Sequence, residues 1–204
     1  KQLDGVKFSG EAEVILNGDS IQKEKGDILF TKYGISGPAI LQLSRLANEL
    51  ILRGEAVDLK VRIITGLDKE AVSSRLRQDP DKPIDFALVG IANKRLIPAI
   101  LKEAGISKQN ASVSSLSESD IRKITALFFD WRFPVKGSMG YDDAQVTAGG
   151  VCTDEIDPFT MESKLLPGLF FAGEVIDIDG RCGGYNLQWA WSSGYLAGKN
   201  AARG

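Results

Sequence analysis

Histidine is absent from the 204 residues. This chain therefore supplies no Ser-His-Asp or Cys-His machinery and no imidazole ligand for a metal. Cysteine is scarce, with Cys152 and Cys182 the only two. Two thiols make neither a disulfide scaffold nor a thiolate zinc site, so no metal is expected and a reducing, cytoplasmic location is. No apolar run approaches the roughly 20 residues of a membrane span, so no membrane partner is expected. No charged-then-apolar segment suggestive of a secretory signal opens the sequence. A large charge imbalance is also missing, since 25 basic residues face 27 acidic ones.

What is present suffices for a folded protein. Hydrophobic residues make up 43% and charged residues 25%, near the averages for soluble globular chains. The length suits one large domain or two small ones. The first residue is Lys1 rather than Met, as expected of a piece of something longer. From Tyr141 onward there are 4 basic and 9 acidic residues, whereas the first 140 hold 21 basic and 18 acidic. Neither part has the dense basic stripe that a phosphate backbone demands, so nucleic acid is not an expected partner.

Alternation of apolar and polar residues predicts strands over Val6–Asn17, Asp27–Lys32 and Asp58–Thr65, with Asn17-Gly18-Asp19 as a hairpin signal. Ser36 is the expected N-cap of a helix that opens at Pro38 and stops at Gly54. From Asp68 to Trp131 the pattern becomes several short helices. Asp68 caps the first, Pro83 and Pro98 start the next two, and Ser117-Glu118-Ser119-Asp120 resembles a capping box for a fourth. Strands return at Arg132–Val135, Ala144–Thr147, around Met161 and at the apolar Leu169–Ala172. A glycine-rich loop and a helix from about Asn186 to Ala202 close the sequence.

Chemistry concentrates after Pro167. An apolar strand runs into Gly173-Glu174. A loop with Asp177, Asp179 and Gly180 follows, and Gly183-Gly184 leads into the last helix. Glycines at such a junction let backbone amides approach a flat or anionic ligand. The helix start adds a partial positive charge of about half an electron, which suits the N1/C2-carbonyl edge of a flavin. Glu174 is placed to accept hydrogen bonds from sugar or ribityl hydroxyls. Read bare, a Gly-Gly pair before a helix is more often only a turn. Thr147-Ala148-Gly149-Gly150-Val151 strengthens the ligand reading.

The segments VTAGGV (146–151), MESKLLPGLFFAGEVIDIDGRCGGYNLQWAWSSG (161–194) and LFTKYGISGPAILQLS (29–44) resemble one family across essentially the whole chain. It comprises bacterial FAD-binding flavoproteins, namely NAD(P)/FAD-dependent, aminoacetone-oxidase-like oxidoreductases with a bile-acid Δ4,6-reductase-like branch. The resemblance implies an α+β multidomain fragment, with a β-barrel-like insert, a small helical subdomain and the C-terminal part of a Rossmann-like FAD-binding domain. The corresponding ranges are 1–66 with 131–146, then 67–130, then 147–204. No GxGxxG fingerprint occurs, so the dinucleotide-binding half is expected elsewhere, and this chain alone is expected to be inactive and not to retain FAD. The resemblance also implies cofactor contacts. Gly173 and Glu174 fall near the FAD ribityl–phosphate region. Gly183, Gly184, Tyr185, Asn186, Leu187 and Gln188 fall near the isoalloxazine. Gly149 and Gly150 fall on the flavin or substrate side, and Asp179 completes the set. The family commonly has histidine where this sequence has Lys32, so no substrate-handling role is carried over to that position.

No catalytic acid or base is assigned, and Asp177, Asp179 and Tyr185 are candidates by position only. Cys182 and Cys152 read as packing residues, Cys152 in the core. Trp189 and Trp191 read as helix packing rather than flavin stacking, and Tyr185, placed in the loop, as the better contact. The reading is a FAD-dependent oxidoreductase acting on a small molecule with NAD(P)H as electron partner. A non-catalytic protein- or nucleic-acid-binding module is the alternative. The strand Leu169–Ala172 could pair with a second copy, so a homodimer is a further candidate.

Overall fold

The computed structural model describes residues 2–203. The chain divides into two compact units, Lys1–Gly137 and Ser138–Gly204.

The first unit begins with a long hairpin, β1 (Lys7–Leu16) and β2 (Asp19–Phe30). Asn17 and Gly18 turn it with φ of 53° and 94°, the left-handed pair that a tight hairpin requires. The strand β3 (Ile35–Ser36), the helix α1 (Pro38–Leu52) and the strand β4 (Val57–Arg62) follow. A helical excursion comes next, made of α2 (Lys69–Arg77), α3 (Ile84–Ala87), α4 (Ile97–Glu103) and α5 (Glu118–Phe129). The chain then returns as β5 (Trp131–Pro134). The sheet runs β3-β2-β1-β4-β5, antiparallel throughout.

One sheet face is core and the other is ionic. Ala12, Val14, Ile28, Leu59, Val61 and Trp131 are buried on the core face. Phe8, Phe30, Trp131 and Phe133 form an aromatic group there with centroids 5.0–6.0 Å apart. On the opposite face Glu11 lies between Lys25 and Arg62 in register, and Glu13 between Lys23 and Lys60. Both carboxylates are buried. Lys25 reaches Glu11 at 3.1 Å, Lys60 reaches Glu13 at 3.2 Å, and Lys23 pairs with Glu11. Burial pushes both carboxyls up. Hydrogen bonds and charge from Lys23 and Lys25 at Glu11, and from Ser20 and Lys60 at Glu13, outweigh it, leaving both below the ordinary glutamate range. This charge pairing explains why β2 begins at Asp19, well before the expected Asp27. Its first half is fixed by cross-strand ion pairs, not by apolar alternation.

The expected cap of α1 is corrected. Ser36 pairs with Leu29 in the sheet, and Gly37 is the N-cap, with no side-chain bond. Gly37 sits at φ 104°, and a Cβ there would strike the Asp27 carbonyl of β2. Close approach of two backbones, not capping chemistry, selects that residue. The local signals in the helical excursion hold. Asp68 Oδ1 accepts from the Ala71 N–H at 2.7 Å, and Ser117 with Asp120 forms a complete capping box. The Ile63 N–H donates to the Phe128 carbonyl at 2.9 Å, joining the start of the excursion to its end.

The second unit has little regular structure apart from α6 (Tyr185–Ala201). The strand expected at Ala144–Thr147 does not form. A short 3₁₀ turn at Tyr141–Asp143 precedes it, and the Thr147 amide bonds to a side chain instead of a ladder. Leu169–Ala172 is not a buried strand either. Phe170 makes one antiparallel bridge with Glu162, and Leu169 is 39% exposed. Without a second strand beside them among the described residues, both apolar runs lack the ladder that would define them. Ile156, Met161, Ile176 and Ala197 are the buried centre of the unit. Cys152, expected in the core, is exposed, as is Cys182. No helix of the described residues is long and apolar enough to cross a membrane.

Candidate functional site

The glycine-rich segments of the second unit are fastened by side chains rather than by a ladder. Gly173 turns the chain at φ 73°, and α6 clamps both sides of it. Its N–H donates to Ser193 Oγ at 2.9 Å, and its carbonyl accepts from Trp189 Nε1 at 3.1 Å. Ser193 is 2% exposed and donates its own O–H to the Trp189 carbonyl at 2.6 Å. Asn186, at the start of α6, grips Gly180 in the same two-handed way. Its Oδ1 accepts from the Gly180 N–H at 2.7 Å, and its Nδ2 donates to the Gly180 carbonyl at 3.0 Å.

The fixed corner at Gly173 positions Glu174 in a short 3₁₀ turn, Gly173–Val175. Glu174 Oε1 accepts from the Thr147 N–H at 2.6 Å, and Asp177 Oδ1 from the Gly149 N–H at 3.0 Å. Beside them Val151 and Ile176 form a parallel bridge. In it the Val151 N–H donates to the Val175 carbonyl at 2.8 Å and the Asp177 N–H to the Val151 carbonyl at 3.0 Å. Gly150 lies against the same turn, and a Cβ there would overlap the Val175 carbonyl.

The other glycines face open space. No atom lies within 4 Å of where a Cβ would stand at Gly149, Gly183 or Gly184. Their φ values are 96°, 124° and 94°. Gly184 is the N-cap of α6 and makes no side-chain cap bond, so the positive end of the helix dipole lies beside bare glycine backbone. Bare backbone beside an uncapped helix start fits the electron-rich edge of a flavin, which accepts hydrogen bonds and gathers negative charge on reduction. Among the described residues no group of three or more His, Cys, Asp and Glu is placed to hold a metal ion.

The residues expected at the site divide into two groups. Gly149, Gly173, Glu174 and Asn186 join the hydrogen-bonded frame, Asn186 through Gly180, and Gly150 packs against it. Tyr185 and Leu187 are 65% and 63% exposed. Tyr185 is the first residue of α6, not part of the preceding loop. Gln188 donates to Ser192 Oγ at 2.9 Å. Asp179 lies in the loop before Gly180. Sequence reasoning missed the clamping roles of Trp189 and Ser193. Their spacing of four, one helical turn, was the available signal.

Residues 1–146 match the family model described as HI0933-like protein barrel and H2TH domain. The chain belongs to the HI0933-like flavoprotein family. This HI0933-like chain is 34% identical over 202 residues to the 3-dehydro-bile acid delta(4,6)-reductase of Clostridium scindens, covering 97% of the chain and 49% of that protein. It is 34% identical over 176 residues to the ribosomal RNA dihydrouridine synthase of Haemophilus influenzae, covering 86% of the chain and 42% of that protein. The Escherichia coli protein of the same name is 35% identical over 175 residues, with 85% and 42% covered. The HI0933-like chain thus spans half or less of the length of these curated relatives. The family match ends before the glycine-rich frame, but the alignment to the bile-acid reductase extends across both units.

Proposed function

We propose that the chain is part of a FAD-dependent oxidoreductase that reduces or oxidises a small molecule, with NAD(P)H as electron partner. The observation that carries the reading is the open glycine backbone at Gly149, Gly183 and Gly184 beside the uncapped start of α6. Bound FAD would supply the hydride chemistry, and the protein its position and electrostatics. In this reading Gly183, Gly184, Tyr185, Leu187 and Gln188 border the isoalloxazine, and Gly149 and Gly150 lie toward the flavin or substrate. Gly173, Glu174 and Asp179 lie toward the ribityl chain, with the second oxygen of Glu174 able to accept from a hydroxyl. Asn186 contributes by holding Gly180. The test is purification of the full-length protein and titration with FAD. Visible flavin absorbance, bleached by NADH or NADPH, supports the reading. A colourless protein that takes up no added FAD refutes it and favours a non-catalytic binding module.

Two relatives named as ribosomal RNA dihydrouridine synthases favour a second reading, in which the reduced group is a base within RNA. Dihydrouridine content of ribosomal RNA, compared with and without the gene, separates the two. Loss of the modified base on deletion supports RNA, and an unchanged content supports the small molecule.

A further inference from the structure

We infer that Glu174 and Asp177 are positioning residues, whose carboxylates latch the loop 147–151 onto the turn 173–177 before any cofactor arrives. The inference deepens the FAD reading and rests on it for its functional consequence. Four hydrogen bonds join the two segments. Two come from backbone pairing at Val151, and the other two are accepted by side chains, from the Thr147 amide by Glu174 at 2.6 Å and from the Gly149 amide by Asp177 at 3.0 Å. Both carboxylate bonds fall on the N-terminal side of Val151, extending the single parallel bridge upstream along the loop as further ladder bonds would in a sheet. The loop needs such help because it carries Gly149 and Gly150 in succession, both at positive φ, and glycine loses the most backbone freedom on ordering. Gly150 is fitted against the Val175 carbonyl with no room for a side chain, so a shift of either segment opens the seam. The far end of the latch is anchored too, since Ser193 and Trp189 hold Gly173 beside Glu174.

The latch also determines what the loop offers a ligand. The Thr147 and Gly149 amides are already taken by internal anions, so they are not phosphate donors. What remains is the open side of Gly149, a surface suited to a flat, uncharged face. Geometry, not charge, is then what the latch requires of Glu174 and Asp177. A glutamine or asparagine keeps an oxygen in the same place, and an alanine does not.

The experiment uses the full-length protein with E174A, D177A, E174Q and D177N. Hydrogen exchange of the peptide spanning 144–152 is followed without FAD, with peptides of residues 2–137 as the internal control, and FAD affinity is then measured by flavin fluorescence. The alanine variants are expected to expose the 144–152 amides and to weaken FAD about tenfold, the upper end for loss of an ordinary hydrogen bond. The amide variants are expected to return both readouts to within about threefold of wild type. Unchanged exchange in both alanine variants overturns the latch. So do Gln and Asn variants as impaired as alanine, because the charge itself would then be the requirement. If alanine unfolds the second unit, the amide variants still decide between geometry and charge. If wild-type protein takes up no FAD, the FAD reading fails, and the exchange arm decides the latch separately.

Discussion

Gly150 has the least room of the described glycines in the second unit. It sits at φ 151° with the Val175 carbonyl where a side chain would be. Gly150→Ala is expected to separate Val151 from Ile176 and to cost about 1–3 kcal/mol of local stability. Faster exchange of the Val151 and Asp177 amides is the measurement that checks it. At this scale the sequence was informative about location and less so about role. Asn186, expected as a cofactor contact, also has a role within the chain, holding Gly180 with both ends of its amide. Ser193 carries no such expectation, yet it accepts from Gly173. A side chain that completes a hydrogen bond within its own chain has the same residue type as one that awaits a ligand. Only the partner distinguishes them.

Elements whose signals are local were legible, and those defined by a distant partner were not. Asp68 and the Ser117–Asp120 pair cap their helices as expected because every group involved lies within three residues. Ser117→Ala is accordingly expected to destabilise the first unit by about 1 kcal/mol, seen as a lower urea midpoint with an unchanged slope. Asp27 determines the start of α1 from another element, so Ser36 was misjudged. The charged first half of β2 was missed because its register depends on Glu11 and Glu13 across the hairpin. Ala144–Thr147 failed as a strand for the complementary reason, having apolar residues but no neighbour to pair with among those described.

For the whole molecule, the buried carboxylates set the response to acid. Glu11 and Glu13 titrate below their ordinary range in the folded state. Their contribution is therefore fully present above the unfolded-state value and is lost as pH falls through the folded one. Stability of the first unit should fall from about pH 6 to about pH 3, and less steeply in the double variant E11Q/E13Q. Urea unfolding followed by tryptophan fluorescence at several pH values tests this, since Trp131 is buried in that unit. The two units also differ in how much apolar surface they bury. One has a continuous core from Val6 to Trp131, and the other has four buried hydrophobic residues. Amides of 138–203 are expected to exchange faster than those of the sheet and α5 at neutral pH. Equal protection throughout would show that buried area is a poor guide here. The division into a β-rich part and a helical part was readable from periodicity. That one core serves both was not, because periodicity marks buried faces without saying what they face.

The β4–β5 pairing has a consequence in time. Val61 and Trp131 are register partners, yet the whole helical excursion separates them in the chain. At about 5–20 residues per second of synthesis, several seconds pass between the two strands leaving the ribosome. Through that interval the outer edge of β4 is bare. Its alternating charges, Asp58, Lys60 and Arg62, are then the guard against joining another nascent strand.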